Sequence, residues 1–346
     1  MWFSQRRAER APTVAGTLVS ASWLVFGMTT LLLGVSRVAG TVPSIRVQSL
    51  AYLALMVGVS LPHGGFEHVE NLRGRGEQFQ GTYVAGYLLL TAVSLAVFLV
   101  APVAGLGLAL TVTALKGGHG GVRVLESVAG ARHLQAPLPR AVAVAVRGGA
   151  IIVVPYVASP DVYFMVASYM VGFVEPGALQ GFLWMLEPTA RAGVGGVYAG
   201  LVVAHLAAGW VRAGETSGWR ADAIETLLLA SFFAVVPPIL AIGLYFPCWY
   251  ALRQVARLSG AAATGQPTAS VSVGDTLWQF VRRATLPWVG AVVILVGMTR
   301  VVPNPPVGAV TWMAFYSVFV AVIAVPHVVV GGWLDRQQGI WAVTTD

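Results

Sequence analysis

Apolar residues run through this chain in blocks of about 17 to 25, the length a helix needs to cross hydrocarbon, with short polar stretches between them. Ten blocks are predicted as spans, near residues 14–36, 47–65, 82–103, 105–122, 140–158, 162–178, 192–211, 223–252, 285–302 and 308–331. The fold class that follows is all-α, a polytopic transmembrane helical bundle. The eighth block is too long for a simple crossing. Pro237-Pro238 sits at its middle, where a proline pair removes helix hydrogen bonds and bends the axis. One kinked helix or two short ones both fit.

Arginine placement sets the orientation. Arg6, Arg7 and Arg10 precede the first block, which predicts a cytoplasmic N-terminus. Counting ten crossings puts Arg73, Arg75, Arg123, Arg132, Arg140, Arg253, Arg257, Arg282 and Arg283 on that side too. The opposite loops near 101–106 and 157–161 contain no Lys or Arg, while Arg212 and Arg220 are exceptions. This distribution favours one bent helix for the eighth block. The longest polar connection, 257–284, is rich in small residues and reads as a flexible polar loop. No repeat or separate soluble unit is evident, so residues 1–346 are expected to form a single membrane domain.

Composition agrees. The chain is 57% hydrophobic and 10% charged, against about 25% charged in soluble domains, and its mean hydropathy is +0.75. The net charge of +7 lies mostly between apolar blocks, so it marks membrane orientation and not nucleic-acid binding. A lone Cys248 excludes an intramolecular disulfide. The first apolar block is long and lacks a small-residue cleavage site, so no cleavable signal peptide is expected.

Polar groups inside such blocks are expensive and mark sites. His63 and His119 each close an apolar run and each is flanked by glycine, in Pro62-His63-Gly64-Gly65 and Gly117-Gly118-His119-Gly120-Gly121. Glu67 lies one helical turn after His63; Tyr250, Arg253 and Gln254 end the eighth block; His327 lies late in the tenth. All four blocks run the same way, so these side chains are expected at one depth near the cytoplasmic face. Facing helices build metal sites in this manner. Two imidazoles and a carboxylate with open positions suit non-haem iron. The glycines either let helices approach closely or leave a groove for a long flat ligand. His205 is expected to hydrogen-bond a neighbouring helix, His133 to sit in a solvated loop, and His68 to be interfacial or paired with Glu67 or Glu70. Most aromatic residues are expected at the lipid or interface, with a subset left to line an interior tunnel.

Pro62-His63-Gly64-Gly65-Phe66-Glu67-His68 resembles the Pro-His-Gly-x-x-Asp-His motif of the Brp/Blh family of membrane β-carotene 15,15′-dioxygenases. The segment 234–246, with Pro237-Pro238 leading into Tyr245-Phe246, is similar to the family's Pro-Pro-rich helix. Val325-Pro326-His327 and Trp333-Leu334-Asp335-Arg336 are similar to its C-terminal signature. The resemblance spans roughly residues 55 to 336. It implies an iron(II) centre held by four histidines, cleavage of β-carotene with O₂ to two retinals, and retinal supply to microbial rhodopsins. His63 and His119 match two of the ligands. The family's His-x-x-x-His pair falls on Tyr250 and Gln254, and Val122 and Val124 replace the acidic residues that follow the second motif. Glu67 or His327 are the candidates to complete the shell, and Gly64, Gly65, Gly120, Gly121 and Arg253 the candidates to border the substrate. A second expectation is a metal-free relative that binds carotenoid or retinal, or that acts as a rhodopsin partner or assembly factor.

Overall fold

The computed structural model describes residues 14–62, 72, 76–214, 216–254 and 273–337. Among them all regular structure is helical. Five helices are long and apolar enough to cross a membrane: α1 (Val14–Val38), α3 (Glu77–Val100), α5 (Pro137–Ala158), α7 (Pro188–Ala213) and α11 (Ala309–Gln337). Around them pack α2 (Ile45–Leu55, continued by a π-helical turn, Met56–Ser60), α4 (Pro102–Ala129), α6 (Pro160–Gly172), α8 (Ser217–Val235), α9 (Pro238–Leu244, continued by a π-helical Tyr245–Ala251) and α10 (Val273–Met298). Because α10 starts at Val273, residues 273–284 of the expected loop are helical; 257–272 lie outside the described residues.

Local sequence explains where the helices begin. Pro102, Pro137, Pro160, Pro188 and Pro238 each occupy a first helical turn, where the missing N–H is no loss and φ is already set. Thr216 caps α8 by accepting from the Trp219 N–H. Gly130 ends α4 with φ of +61°, a left-handed conformation natural to glycine.

Two expectations about the path of the chain are corrected. The eighth apolar block is a hairpin and not one bent helix. Val236 and Pro237 are both extended, with ψ of 133°, as residues preceding proline tend to be. Beyond them α9 returns along α8: Phe233 meets Tyr245 at 5.6 Å between ring centroids, and Glu225 pairs with Arg253. A continuous helix would hold residues 225 and 253 about 42 Å apart. Phe26 of α1 closes the fold of the hairpin, 4.0 Å from the Phe232 ring and 4.7 Å from the Trp249 ring.

The sixth block, in turn, makes no net passage. α6 has 13 residues, about 20 Å of helix, and is followed by turns and a 3₁₀ helix, Gln180–Leu186. The chain then returns to its starting level, where the Tyr156 hydroxyl donates to the Met185 carbonyl. α7 consequently runs antiparallel to α5, with Gly195 against Val157 and the Tyr198 hydroxyl donating to the Val146 carbonyl at 2.8 Å.

α4 and α5 approach at van der Waals limits. A Cβ on Gly118 would lie 2.3 Å from the Val144 carbonyl oxygen, and one on Gly148 would lie 2.2 Å from the Ala114 carbonyl oxygen. Reciprocal small residues of this kind let backbones touch in apolar surroundings. The larger core, with Tyr52, Met56, Met170, Phe315, Tyr316 and Phe319, joins α2, α6 and α11 on the other side of α4.

Candidate active site

An apolar cavity of about 620 Å³ lies within this second core, bordered by α2, α3, α4, α5, α6, α9, α10 and α11. Its volume falls in the range of small-molecule sites. Much of its wall is aromatic or aliphatic, including Tyr83, Ile242, Phe246 and Met313. Three of the tyrosine hydroxyls around it are satisfied by the protein. Tyr52 shares a hydrogen bond of 2.9 Å with Ser317, Tyr87 donates to the Ile323 carbonyl at 2.8 Å, and Tyr316 to the Met56 carbonyl at 3.1 Å. Their rings are thus left to face an apolar ligand.

Two cation-forming side chains reach this wall, Lys116 of α4 and His327 of α11. They belong to one end of the bundle. Ala101 alone links α3 to α4, so the last turns of α4 return to the level where α3 starts. The end of α11 meets that level too, because Val330 packs on Tyr83. His119 lies there on α4, half-buried. A Cβ on the adjoining Gly120 would lie 2.5 Å from Cε2 of Tyr250 and 3.0 Å from Nε2 of Gln254. The Lys116 ammonium stands 5.4 Å from the centre of the Tyr250 ring.

His119, Tyr250, Gln254 and His327 therefore gather at a common level, as the direction of their helices predicts. His63, Glu67, Gly64 and Gly65 lie outside the described residues, immediately after Leu61 and Pro62, and Leu61 lines the cavity. Among the described residues no three His, Cys, Asp or Glu side chains are grouped to hold a metal ion. Both segments leading to this level carry a π-helical turn, an irregularity frequent at functional sites. In α9 the turn contains Pro247, which has no N–H for the α-helical ladder.

Three expected border residues are placed elsewhere. Gly120 and Gly121 open no groove: Tyr250 and Gln254 fill the space beside the first, and Arg147 lies beside the second at 3.3 Å from a Cβ. Arg253 is buried behind the site, its guanidinium 4.5 Å from the centre of the Trp249 ring and paired with Glu225.

That pairing belongs to a buried ionic network which the sequence reading missed. Arg147 donates from Nη2 to Oδ1 of Asp222 and from Nη1 to Oε2 of Glu225, both at 2.8 Å. Glu225 Oε1 also accepts from Trp23 Nε1 at 3.1 Å. His133 and His205 each bring Nε2 to 3.0 Å from Oδ2 of Asp222. Asp222, Glu225, Arg147 and Arg253 are at most 2% exposed. His133 is thus buried on a carboxylate instead of solvated, a second correction to the expected polar inventory, because the 3₁₀ turn Arg132–Leu134 folds under α7 and α8. His205 has its partner on a neighbouring helix, α8. The missed signal was available: Arg147, Asp222 and Glu225 are charges inside apolar stretches, and the two acids stand three apart on one helical face.

An all-helical bundle enclosing an aromatic-walled chamber, with imidazole and amine groups gathered at one end, defines a polytopic class built around an interior apolar site. Residues 54–335 match the sequence profile of the family described as β-carotene 15,15′-dioxygenase, and the chain belongs to that family. It is 46% identical over 319 residues to the probable β-carotene 15,15′-dioxygenase Brp of Halobacterium salinarum strains R1 and NRC-1, covering 88% of each chain. To the probable β-carotene 15,15′-dioxygenase Blh of strain NRC-1 it is 33% identical over 344 residues, covering 96% of each. No solved structure matches.

Proposed function

We propose that this protein cleaves β-carotene, or a closely similar polyene, at its central double bond with O₂, giving two retinals. The observation that carries this reading is the apolar cavity with Lys116 and His327 in its wall, at the level that His119 shares. A long hydrocarbon ligand needs no charged entrance and reaches such a chamber laterally from lipid. Cavity residues such as Phe246 and Tyr316 align the polyene and exclude water from its centre. His63 and His119 would hold iron(II), with Glu67 or His327 completing the shell, and the bound ion would supply the activation of O₂. Tyr250 and Gln254 are poorer donors than the imidazole pair of the family pattern. Their place beside Gly120 supports a second reading, in which the chain holds carotenoid or retinal without a metal, or serves a rhodopsin as partner or assembly factor.

Retinal formation in a β-carotene-producing host, with iron measured in the purified protein, separates the two. The first reading expects retinal and stoichiometric iron, both lost in His119→Ala while the folded yield is retained. Metal-free wild type that co-purifies with carotenoid and forms no retinal establishes the second.

The same reading assigns the topology. Ten passages result when α8 and α9 are counted separately and α6 is left on one side. Both chain ends then share the cytoplasmic face with His119 and His327. Arg212 and Arg220, exceptions to the charge rule under a single eighth helix, join Arg123, Arg132 and Arg140 on that face.

A further inference from the structure

Lys116 is the only lysine among 21 Lys and Arg residues in the chain. It is placed in the wall of the apolar cavity. Everywhere else the sequence uses arginine for positive charge, and a guanidinium is a permanent cation with no nucleophilic amine. A primary amine has a chemistry that arginine lacks: it condenses with aldehydes, and in apolar surroundings it is a recurrent Schiff-base former. Amine and chamber are well matched. Thr113, Val112 and Ala109, on the preceding turns of α4, line the same chamber. The Tyr250 ring, 5.4 Å from Nζ, steadies the ammonium at the level of His119. If the role of this residue were only to carry charge, arginine would serve as it does at every other basic position.

We propose that Lys116 captures the polyene aldehyde released by central cleavage as a reversible imine. The inference rests on the cleavage reading for the origin of the aldehyde, and on the cavity alone for its binding. Nζ adds to the aldehyde carbon, the resulting carbinolamine loses its hydroxyl as water, and a C=N bond replaces C=O. One water leaves and no oxidant or reductant is consumed. Hydrolysis returns the free aldehyde and the amine. The imine retains a reactive product inside the bundle until it is handed on.

The test supplies the aldehyde directly. Purified full-length protein in detergent is mixed with all-trans-retinal, reduced with borohydride, digested and mapped by mass spectrometry. The expected result is one retinyl-lysine, at Lys116, with a red-shifted imine band in acid before reduction. Lys116→Arg and Lys116→Gln, checked for folding by thermal unfolding, lose both signals. Absence of a lysine adduct in the wild type, label confined to the N-terminal amine, or a band that persists in both variants overturns the proposal. Because no cleavage is required, an adduct in protein that forms no retinal from β-carotene removes the cleavage reading and leaves the imine. Retinal formation without an adduct does the reverse.

Discussion

Two groups of buried polar residues lie back to back across α4 and α9, and they are built on opposite rules. Behind the glycine seam, Arg147, Asp222, Glu225 and Arg253, at most 2% exposed, pair with one another and with His133, His205 and the partly buried Trp23. In the cavity wall, Lys116 and His327 are only half-buried and border space that a ligand can enter, with half-buried His119 at the same level. Charges that complete each other inside a protein fix helix registration. Polar groups beside an open apolar chamber are placed to act on what fills it. The difference predicts which substitutions break the fold and which spare it.

The largest loss is expected for Glu225→Ala, which strips two guanidiniums of a shared carboxylate. Breaking a buried pair costs about 3–5 kcal/mol, read as a collapse of thermal stability in detergent and of membrane yield. A Glu225→Ala protein that melts like the wild type would remove the network from the architecture. Next comes Gly118→Val, whose Cβ would fall 2.3 Å from a backbone oxygen of α5; overpacking costs about 1–3 kcal/mol, and by displacing α4 it should lower retinal formation as well. His205→Phe removes one of several neighbours of Asp222 and should cost about 1 kcal/mol, visible as a small shift of the unfolding midpoint. The smallest change in stability is expected for Gly290→Phe on the cavity wall, where an added Cβ meets nothing within 4 Å. Stability should hold within about 0.5 kcal/mol, while co-purified carotenoid and retinal formation fall. Undiminished carotenoid in this last variant would mean that the polyene lies elsewhere.

The helical class and the shared level of His119, Tyr250, Gln254 and His327 were legible in the sequence, because apolar block length and helix direction determine both. The path between blocks was not. Hydropathy assigns the same signal to a bend and to a reversal, so Pro237-Pro238 left both open until the Phe233–Tyr245 and Glu225–Arg253 pairs decided it. A block of apolar residues may lie along an end of the bundle without traversing it, as α6 does, and only its tertiary partners tell. Under the proposed topology the two changes compensate, so His119 and His327 keep the end expected for them and Arg212 and Arg220 cease to stand out. Glycine was ambiguous for a related reason: sequence states that a side chain is missing, not what moves into the gap. At Gly120 the answer is Tyr250 and Gln254; at Gly121 it is Arg147.

The reversal at Val236–Pro238 also constrains biogenesis. Arg147 of the earlier α5 can meet Asp222 and Glu225 of the first arm, whereas Arg253 of the second arm reaches its carboxylate only when that arm folds back along α8. Insertion of the two arms as a unit neutralises Glu225 against Arg253 at once. A circular permutation opened at this corner should therefore be among the least tolerated cuts in the chain.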